Sequence, residues 1–173
     1  MNFELTQEQK MIRDMTREFA SEELAPDSVK RDIEKIWPHQ QVSKMADLGL
    51  MGMMVKDKWG GNNMDTISYS IAMEEIAKVD ASAAVIMSVN NSLVCYIFQK
   101  YANSKQKEKY LIPLAKGEKL GCFSLSEPQS GSDASNMSVY AKKDGDDFII
   151  SGTKNWVTNG INADVIMLFC LTE

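Results

Sequence analysis

The stretch DASAAVIMSVNNSLVCYIFQKYA, Asp80–Ala102, constrains the fold of this chain more than any other. It is long and apolar nearly all round. A helix with that profile does not lie on a surface; it is enclosed by other elements, here other helices. Asp80 stands at its start. The small side chains of Ala81, Ser82, Ala83 and Ala84 leave room for a neighbouring helix, or for something flat, to come close.

The first two-thirds of the chain offers the helices to enclose it. Thr6-Gln7-Glu8-Gln9 has the form of a capping box, and Ile12, Met15 and Phe19 then recur at helical spacing, with Pro26 expected to close the segment. Pro38 opens a second helix, with Val42, Met45 and Ala46 on one face and Gly49 as its stop. VKDKWGGNNMD, Val55–Asp65, reads as a loop. Asp65 or Thr66 caps a third helix carrying Ile67, Ile71, Met73, Glu74 and Ile76, with Glu74 and Glu75 as ordinary helix residues. Ser104–Glu118 reads as a charged helix with Tyr110, Leu111 and Leu114 inward, shortened or bent by Pro113.

Near Gly121 the pattern changes. From there on the chain is strand-like, with Asp144-Gly145 and Asn159-Gly160 as two hairpin signals. Val165–Leu171, nearly all apolar, suits a strand buried on both faces, and a strand so placed needs a sheet to cover it. Few strands precede it. The expected fold is therefore α+β: an all-α helical bundle domain over 1–118, then a β-barrel-like domain, 119–173, that is cut short.

Composition narrows the function classes. Hydrophobic residues are 44% of the 173, enough for a core, and the net charge of −5 comes without a cluster of Lys and Arg, which argues against nucleic acid as a partner. No apolar run of about 18 residues is evident, so no membrane span is expected. The start MNFELTQEQK lacks the features of a signal peptide and is acidic too early for a transit peptide, which predicts a cytoplasmic protein. Cys95, Cys122 and Cys170 form no Cys-x-x-Cys pair and read as reduced, mostly buried thiols. His39 is the lone histidine, following Pro38 at a helix start, and reads as a surface or capping residue; no metal site is expected. Most of the twelve methionines read as core.

Two polar stretches carry the chemistry. SLSEPQSGSD, Ser124–Asp133, follows the apolar Gly121-Cys122-Phe123. Backbone N–H groups in such a loop can converge on phosphate oxygens, with Gly131 admitting close approach, Ser126 and Ser132 adding hydroxyls, and Pro128 stiffening the turn. A decorated surface turn is an equal reading of the same residues. GTKNWVTNG, Gly152–Gly160, sets Trp156 and Thr158 two apart, which in a strand puts them on one face. A flat indole beside a hydroxyl suits a planar heteroaromatic ligand such as a flavin. A Trp packed into a sheet interface remains the alternative.

Taken together these segments resemble the acyl-CoA dehydrogenase family, in its N-terminal part and part of its middle domain, and in particular its short-chain (butyryl-CoA) members. SLSEPQSGSDAS resembles the family's S/T-E-P-x-x-G-S-D signature, and GTKNWVTNG its G-x-K-x-W-I/V-T-N segment. DKWGGNNMD resembles its E-x-Y/W-G-G loop, and KQKEKYLIPLAKGE its Q-K-x-x-Y-L-P-x-L-A-x-G-E helix. The four motifs occur in the family's order and span the chain.

The resemblance implies FAD as cofactor and an enzyme of fatty-acid metabolism. The implied reaction oxidises an acyl-CoA to the 2-enoyl-CoA: a carboxylate takes the α-proton, flavin N5 the β-hydride, and electrons pass to an electron-transfer flavoprotein. Phe123, Leu125 and Ser126 would face the flavin, Gly131 and Ser132 would lie near its pyrophosphate with Ser132 also touching the substrate, and Trp156, Val157 and Thr158 would line the ring, Thr158 near N5. A homotetramer is the family's expected assembly. The family's catalytic Glu lies beyond the matched segments, so no catalytic residue is assigned in this chain, which by itself would be inactive; Glu127 is structural by the same analogy. Ser124, Gln129 and Asn136 depart from the family's usual residues and put the loop's detail in question. A non-enzymatic helical module, a subunit that completes a partner chain, and a reductase or oxidase relative remain the alternatives.

Overall fold

A computed structural model describes residues 4–172, and the chain divides into two compact units, Met1–Lys119 and Leu120–Glu173. The first is helical. Its α1 (Gln7–Phe19) starts at a capping box: Thr6 accepts from the Gln9 amide at 3.2 Å, and the Gln9 side chain accepts from the Thr6 amide at 3.1 Å. Pro26 does not close this segment. A π-helical turn (Ala20–Leu24) and a 3₁₀ turn (Ala25–Asp27) lead into α2 (Ser28–Glu34), with Pro26 in the first turn, where its missing N–H costs no helical bond. The helix ends instead at Lys35, which is left-handed.

Then come α3 (His39–Asp47), stopped by Gly49 at φ 74°, α4 (Thr66–Ala77), capped by Asp65 on the Ser68 amide at 2.7 Å, and α5 (Ala81–Ser88), capped by Asp80 on the Ala83 amide at 2.9 Å. A π-helical stretch (Val89–Cys95) joins α5 to α6 (Tyr96–Tyr101). The continuous helix Ala81–Tyr101 has 21 residues and a mean hydropathy of 1.5 over its best window, long and apolar enough to cross a membrane, contrary to the sequence reading. Half of that window is buried in the helical unit, while Val85, Leu93, Tyr96 and Tyr101 stand exposed, so the enclosure expected from the sequence is only partial. Its π stretch carries Asn90 and Asn91, both buried. Asn91 accepts from the Met53 amide at 2.9 Å and donates to the carbonyls of Leu50 and Met87, while Asn90 donates to those of Met51 and Leu114. These buried amides are hydrogen-bonded to backbone groups of the neighbouring segments, as polar groups at this depth must be.

The last helical segment is α7 (Ser104–Gln106), a π turn (Lys107–Leu111) and α8 (Ile112–Ala115). The π turn stands where Pro113 has no N–H to offer the preceding turn. Around this frame Leu24, Met45, Leu50, Met51, Met87, Leu111 and Leu114 form the buried core. Two ion pairs pin the helices: Arg31 to Asp80 at 2.8 Å, both buried, and Arg17 to Glu75 through two bonds of 3.0 Å. Burial pushes the Cys95 thiol up to about 12, so this residue packs as an apolar group.

The second unit is built from short strands. β1 (Gly121–Ser124) runs parallel to β4 (Val165–Leu168); β2 (Tyr140–Asp144) pairs antiparallel with β3 (Asp147–Ser151) and parallel with β5 (Leu171–Thr172). The hairpin that Asp144-Gly145 signals is present, but its two-residue loop is Gly145-Asp146: Asp144 is the last residue of β2 and Gly145, at φ 61°, takes the first loop position. Two expectations fail here. Asn159-Gly160 makes a turn, but no strand precedes it, so there is no second hairpin. Val165–Leu171 is not one strand buried on both faces: it breaks at Phe169-Cys170 and passes from the β1 pair to the β2 sheet, with Ile166 and Leu171 exposed. Among the described residues the strands form no closed barrel.

Candidate functional site

β1 delivers the chain into the polar stretch that follows it. Glu127 and Ser130 exchange backbone bonds of 2.9 and 3.1 Å across a tight turn, with Pro128 fixing φ at its second position. Ser130 Oγ donates to the Asp133 carbonyl at 2.8 Å, and a 3₁₀ turn (Ala134–Asn136) returns the chain toward β2.

Glu127 is the hub. Its Oε2 accepts from the Ser138 amide (2.6 Å), the Ser138 hydroxyl (2.8 Å) and the Gln129 side chain (2.6 Å); its Oε1 accepts from the Val139 amide (3.0 Å) and Lys154 Nζ (2.8 Å). Both side chains of the Glu127–Lys154 pair are buried. Burial alone would raise the Glu127 pKa, but the bonds from Lys154, Ser138 and Val139 outweigh it and hold the carboxyl well below its ordinary range. Its acceptor capacity is saturated, so it is a poor proton acceptor and serves the fold. Gln129, a departure from the family pattern, also donates to Ser138 Oγ at 2.8 Å and so clasps the two ends of the loop.

The second polar stretch is not a strand. Residues 152–157 lie in no strand, and Trp156 takes φ 59°, a left-handed conformation rare for a bulky residue. The Thr158 amide donates to the Trp156 carbonyl at 3.1 Å, so the alternation that would put both side chains on one face does not operate. Tertiary bonds shape the segment instead. Lys154 Nζ donates to the Leu125 carbonyl at 2.8 Å, the Asn155 amide to the Ser126 carbonyl at 2.8 Å, and Asn159, itself left-handed and buried, to the Gly121 carbonyl at 3.0 Å. Trp156 is 90% exposed, so its indole does not pack in a sheet interface.

These bonds bring Leu125, Ser126 and Glu127 against Lys154 and Asn155, and so join the two stretches. Phe123 meets Phe169 in a tilted ring pair, 5.1 Å between centres; Leu125, Ser126, Val157 and Thr158 are half-buried; Gly131 and Ser132 are exposed beyond the turn. No hydrogen bond among the described residues links Gly131 or Ser132 to Trp156–Thr158. The amides of Gly131 and Ser132 and the hydroxyls of Ser126, Ser132 and Thr158 have no partner within the described chain. A Cβ at Gly131 would meet nothing within 4 Å, so the chain's own packing does not require this glycine. Free donors on one segment, an open indole on another and a direct tie between them fit an anionic, planar ligand. Lys154, Asn155 and Asn159 were not assigned from the sequence. The signal for Lys154 is a lone lysine in a stretch whose neighbours are otherwise uncharged.

Residues 6–118 match the acyl-CoA dehydrogenase N-terminal domain and residues 122–173 the acyl-CoA dehydrogenase middle domain. The chain belongs to the acyl-CoA dehydrogenase family. It is 43% identical over 98% of its length to the mitochondrial short-chain specific acyl-CoA dehydrogenase of Rattus norvegicus, and 40% identical over all of it to the short-chain specific enzyme of Clostridium acetobutylicum. It spans 41% of the rat protein and 46% of the clostridial one, somewhat under half of each. Butyryl-CoA dehydrogenase from Megasphaera elsdenii superposes with a TM-score of 0.94 at 36% identity, over 100% of this chain and 46% of that one. A chain in a structure of the electron-transferring flavoprotein of Acidaminococcus fermentans gives 0.96 at 39% identity, again over 100% and 46%. A Mycobacterium smegmatis glutaryl-CoA dehydrogenase in complex with FADH2 gives 0.92 at 32% identity, over 98% and 44%. Acyl-CoA dehydrogenases are oxidoreductases, and the short-chain type recurs among the relatives.

Proposed function

We propose that this chain is the N-terminal portion of an FAD-dependent, short-chain acyl-CoA dehydrogenase. Residues 1–118 form its helical domain and 119–173 the part of its β domain that carries the flavin- and substrate-binding loops. The observation that carries the reading is the pairing of the two polar stretches through Ser126–Asn155 and Glu127–Lys154, with unpartnered donors and an exposed Trp156 on the same unit. Relatives of the short-chain type and a flavin-containing structural neighbour support it.

Phe123, Leu125 and Ser126 would present the β1 end to the flavin. Gly131 and Ser132 would hold its pyrophosphate, with Ser132 shared with the substrate. Trp156, Val157 and Thr158 would shield one side of the ring from water, Thr158 offering a hydroxyl to a ring atom. Bound FAD supplies the hydride acceptor for oxidation of an acyl-CoA to the 2-enoyl-CoA. None of the described residues is assigned as the α-proton base. A cytoplasmic location, electron transfer to an electron-transfer flavoprotein and a homotetrameric assembly belong to the same proposal, the flavoprotein partner supported by the neighbour from Acidaminococcus fermentans.

The test is a fluorescence titration of the purified chain with FAD. Saturable quenching of flavin emission, weakened by Trp156→Ala and by Gly131→Val, is the expected result. Absence of binding, or binding indifferent to both substitutions, would overturn the flavin assignment. Bleaching of the bound flavin by butyryl-CoA in this chain alone would overturn the statement that the base lies elsewhere.

A further inference from the structure

We propose that Glu127 and Lys154 are positioning residues: a buried latch that sets the Phe123–Ser132 segment against the Trp156–Thr158 segment and thereby shapes the flavin-facing surface. This rests on the flavin reading above and goes beyond it, because neither residue is one of the expected ligand contacts.

The geometry points there directly. Lys154 Nζ reaches two groups at once, the Leu125 carbonyl and Glu127 Oε1, each at 2.8 Å. Leu125 and Ser126 are expected flavin contacts, and the residue after Lys154 donates its amide to Ser126. Two residues on from Lys154 the chain turns left-handed at Trp156 and sets the indole in the open. Glu127 gathers Ser138 and Val139 from the far end of the loop and Gln129 from its own turn, so one carboxylate fixes both ends of the pyrophosphate stretch and, through Lys154, the ring-side stretch. The rest of the unit gives these loops little to lean on. Residues 152–157 lie in no strand, and a Cβ at Gly131 would meet nothing within 4 Å. A latch made of two buried charges is unforgiving: removal of either partner leaves the other buried and unpaired, so the two act as one unit.

The test compares the wild-type chain with Glu127→Gln, Lys154→Met, the double variant and Lys154→Arg, in two measurements. In the ligand-free wild type, amide hydrogen exchange is read at Ser138 and Val139, the amides that Glu127 holds, and at Asn155, which bonds to the Ser126 carbonyl beside the latch, against Ser132, which has no such bond. At least tenfold slower exchange at the three held amides is expected. In the FAD titration, each single charge-removing variant that retains the wild-type circular dichroism should bind at least tenfold more weakly. The double variant should be no weaker than the worse single one, and Lys154→Arg should recover part of the loss. A role confined to stability would lower the melting temperature and leave the affinity of the folded protein unchanged; that outcome overturns the proposal. Exchange at the held amides as fast as at Ser132 overturns it even if the variants fail to fold. Slow exchange at these amides in a wild-type chain that binds no FAD removes the flavin reading and reduces the latch to a clasp of the fold.

Discussion

In the helical unit Leu24, Met45, Met87, Leu111 and Leu114 are fully buried; in the strand unit Phe148, Ile149 and Ile150 stand exposed side by side on β3, and Ile161 and Ile166 are exposed as well. What the strand unit buries is instead partly polar: Ser124, Glu127, Ser130 and Asn159, beside Leu120, Cys122, Val139 and Ala141. One unit is organised by apolar packing and the other by hydrogen bonds about a carboxylate. The difference tells where each unit is vulnerable, and it fits the proposed roles of a scaffold and a ligand-facing surface.

Substitutions should expose that contrast. Met45→Ala or Leu111→Ala, each opening a cavity in a closed core, should cost about 2–5 kcal/mol in urea unfolding followed by circular dichroism. Asn91→Ala should cost about 1–3 kcal/mol, because the Met53 amide and the carbonyls of Leu50 and Met87 lose their partner. Asp65→Ala, which removes the cap of α4, should cost about 1 kcal/mol. At the small end, Ile149→Ala should change stability by less than about 0.5 kcal/mol, since more than half of the residue is already exposed. A large loss at Ile149 in this chain would break the contrast.

Acid sharpens it further. The Arg17 guanidinium, helped by Lys78 and opposed by burial, holds Glu75 at about 2 against an ordinary 4.5. A carboxyl depressed on folding contributes stability that is present above the unfolded value and is lost as pH falls through the folded one. Melting of the helical unit should therefore be insensitive to Glu75 above about pH 5 and should decline from about pH 4.5 toward pH 2. In Glu75→Gln that part of the decline should vanish from the melting temperature measured against pH. A wild-type profile that keeps its full slope in the variant would show that Glu75 contributes nothing to it.

The helical unit was the more legible from the sequence because its signals are local. The Thr6–Gln9 capping box, the Asp65 and Asp80 caps and the Gly49 stop each depend on residues within a turn of one another, and each stands where its residues put it. Pro26 misled because proline ends a helix only from its interior; in a first turn it is tolerated, and a π turn before it absorbs the change. In the strand unit Asp144-Gly145 was legible for the same local reason. The Trp156 segment was not. Its shape is dictated by Ser126 and Glu127, far away in the sequence, so strand periodicity gave a wrong reason for setting Trp156 beside Thr158. The span Val165–Leu171 failed similarly, since composition cannot reveal that a chain changes sheets midway. The motifs located the candidate site, whereas the residues that tie it together emerged only from the tertiary bonds.

By the proposed function, two stretches far apart in sequence make one flavin-facing surface. Amide hydrogen exchange with and without saturating FAD tests it most directly. Gly131 and Ser132 should gain protection together with Trp156, Val157 and Thr158, while the Gly145 hairpin does not change. Protection confined to one stretch, or centred on the helical unit, would contradict it.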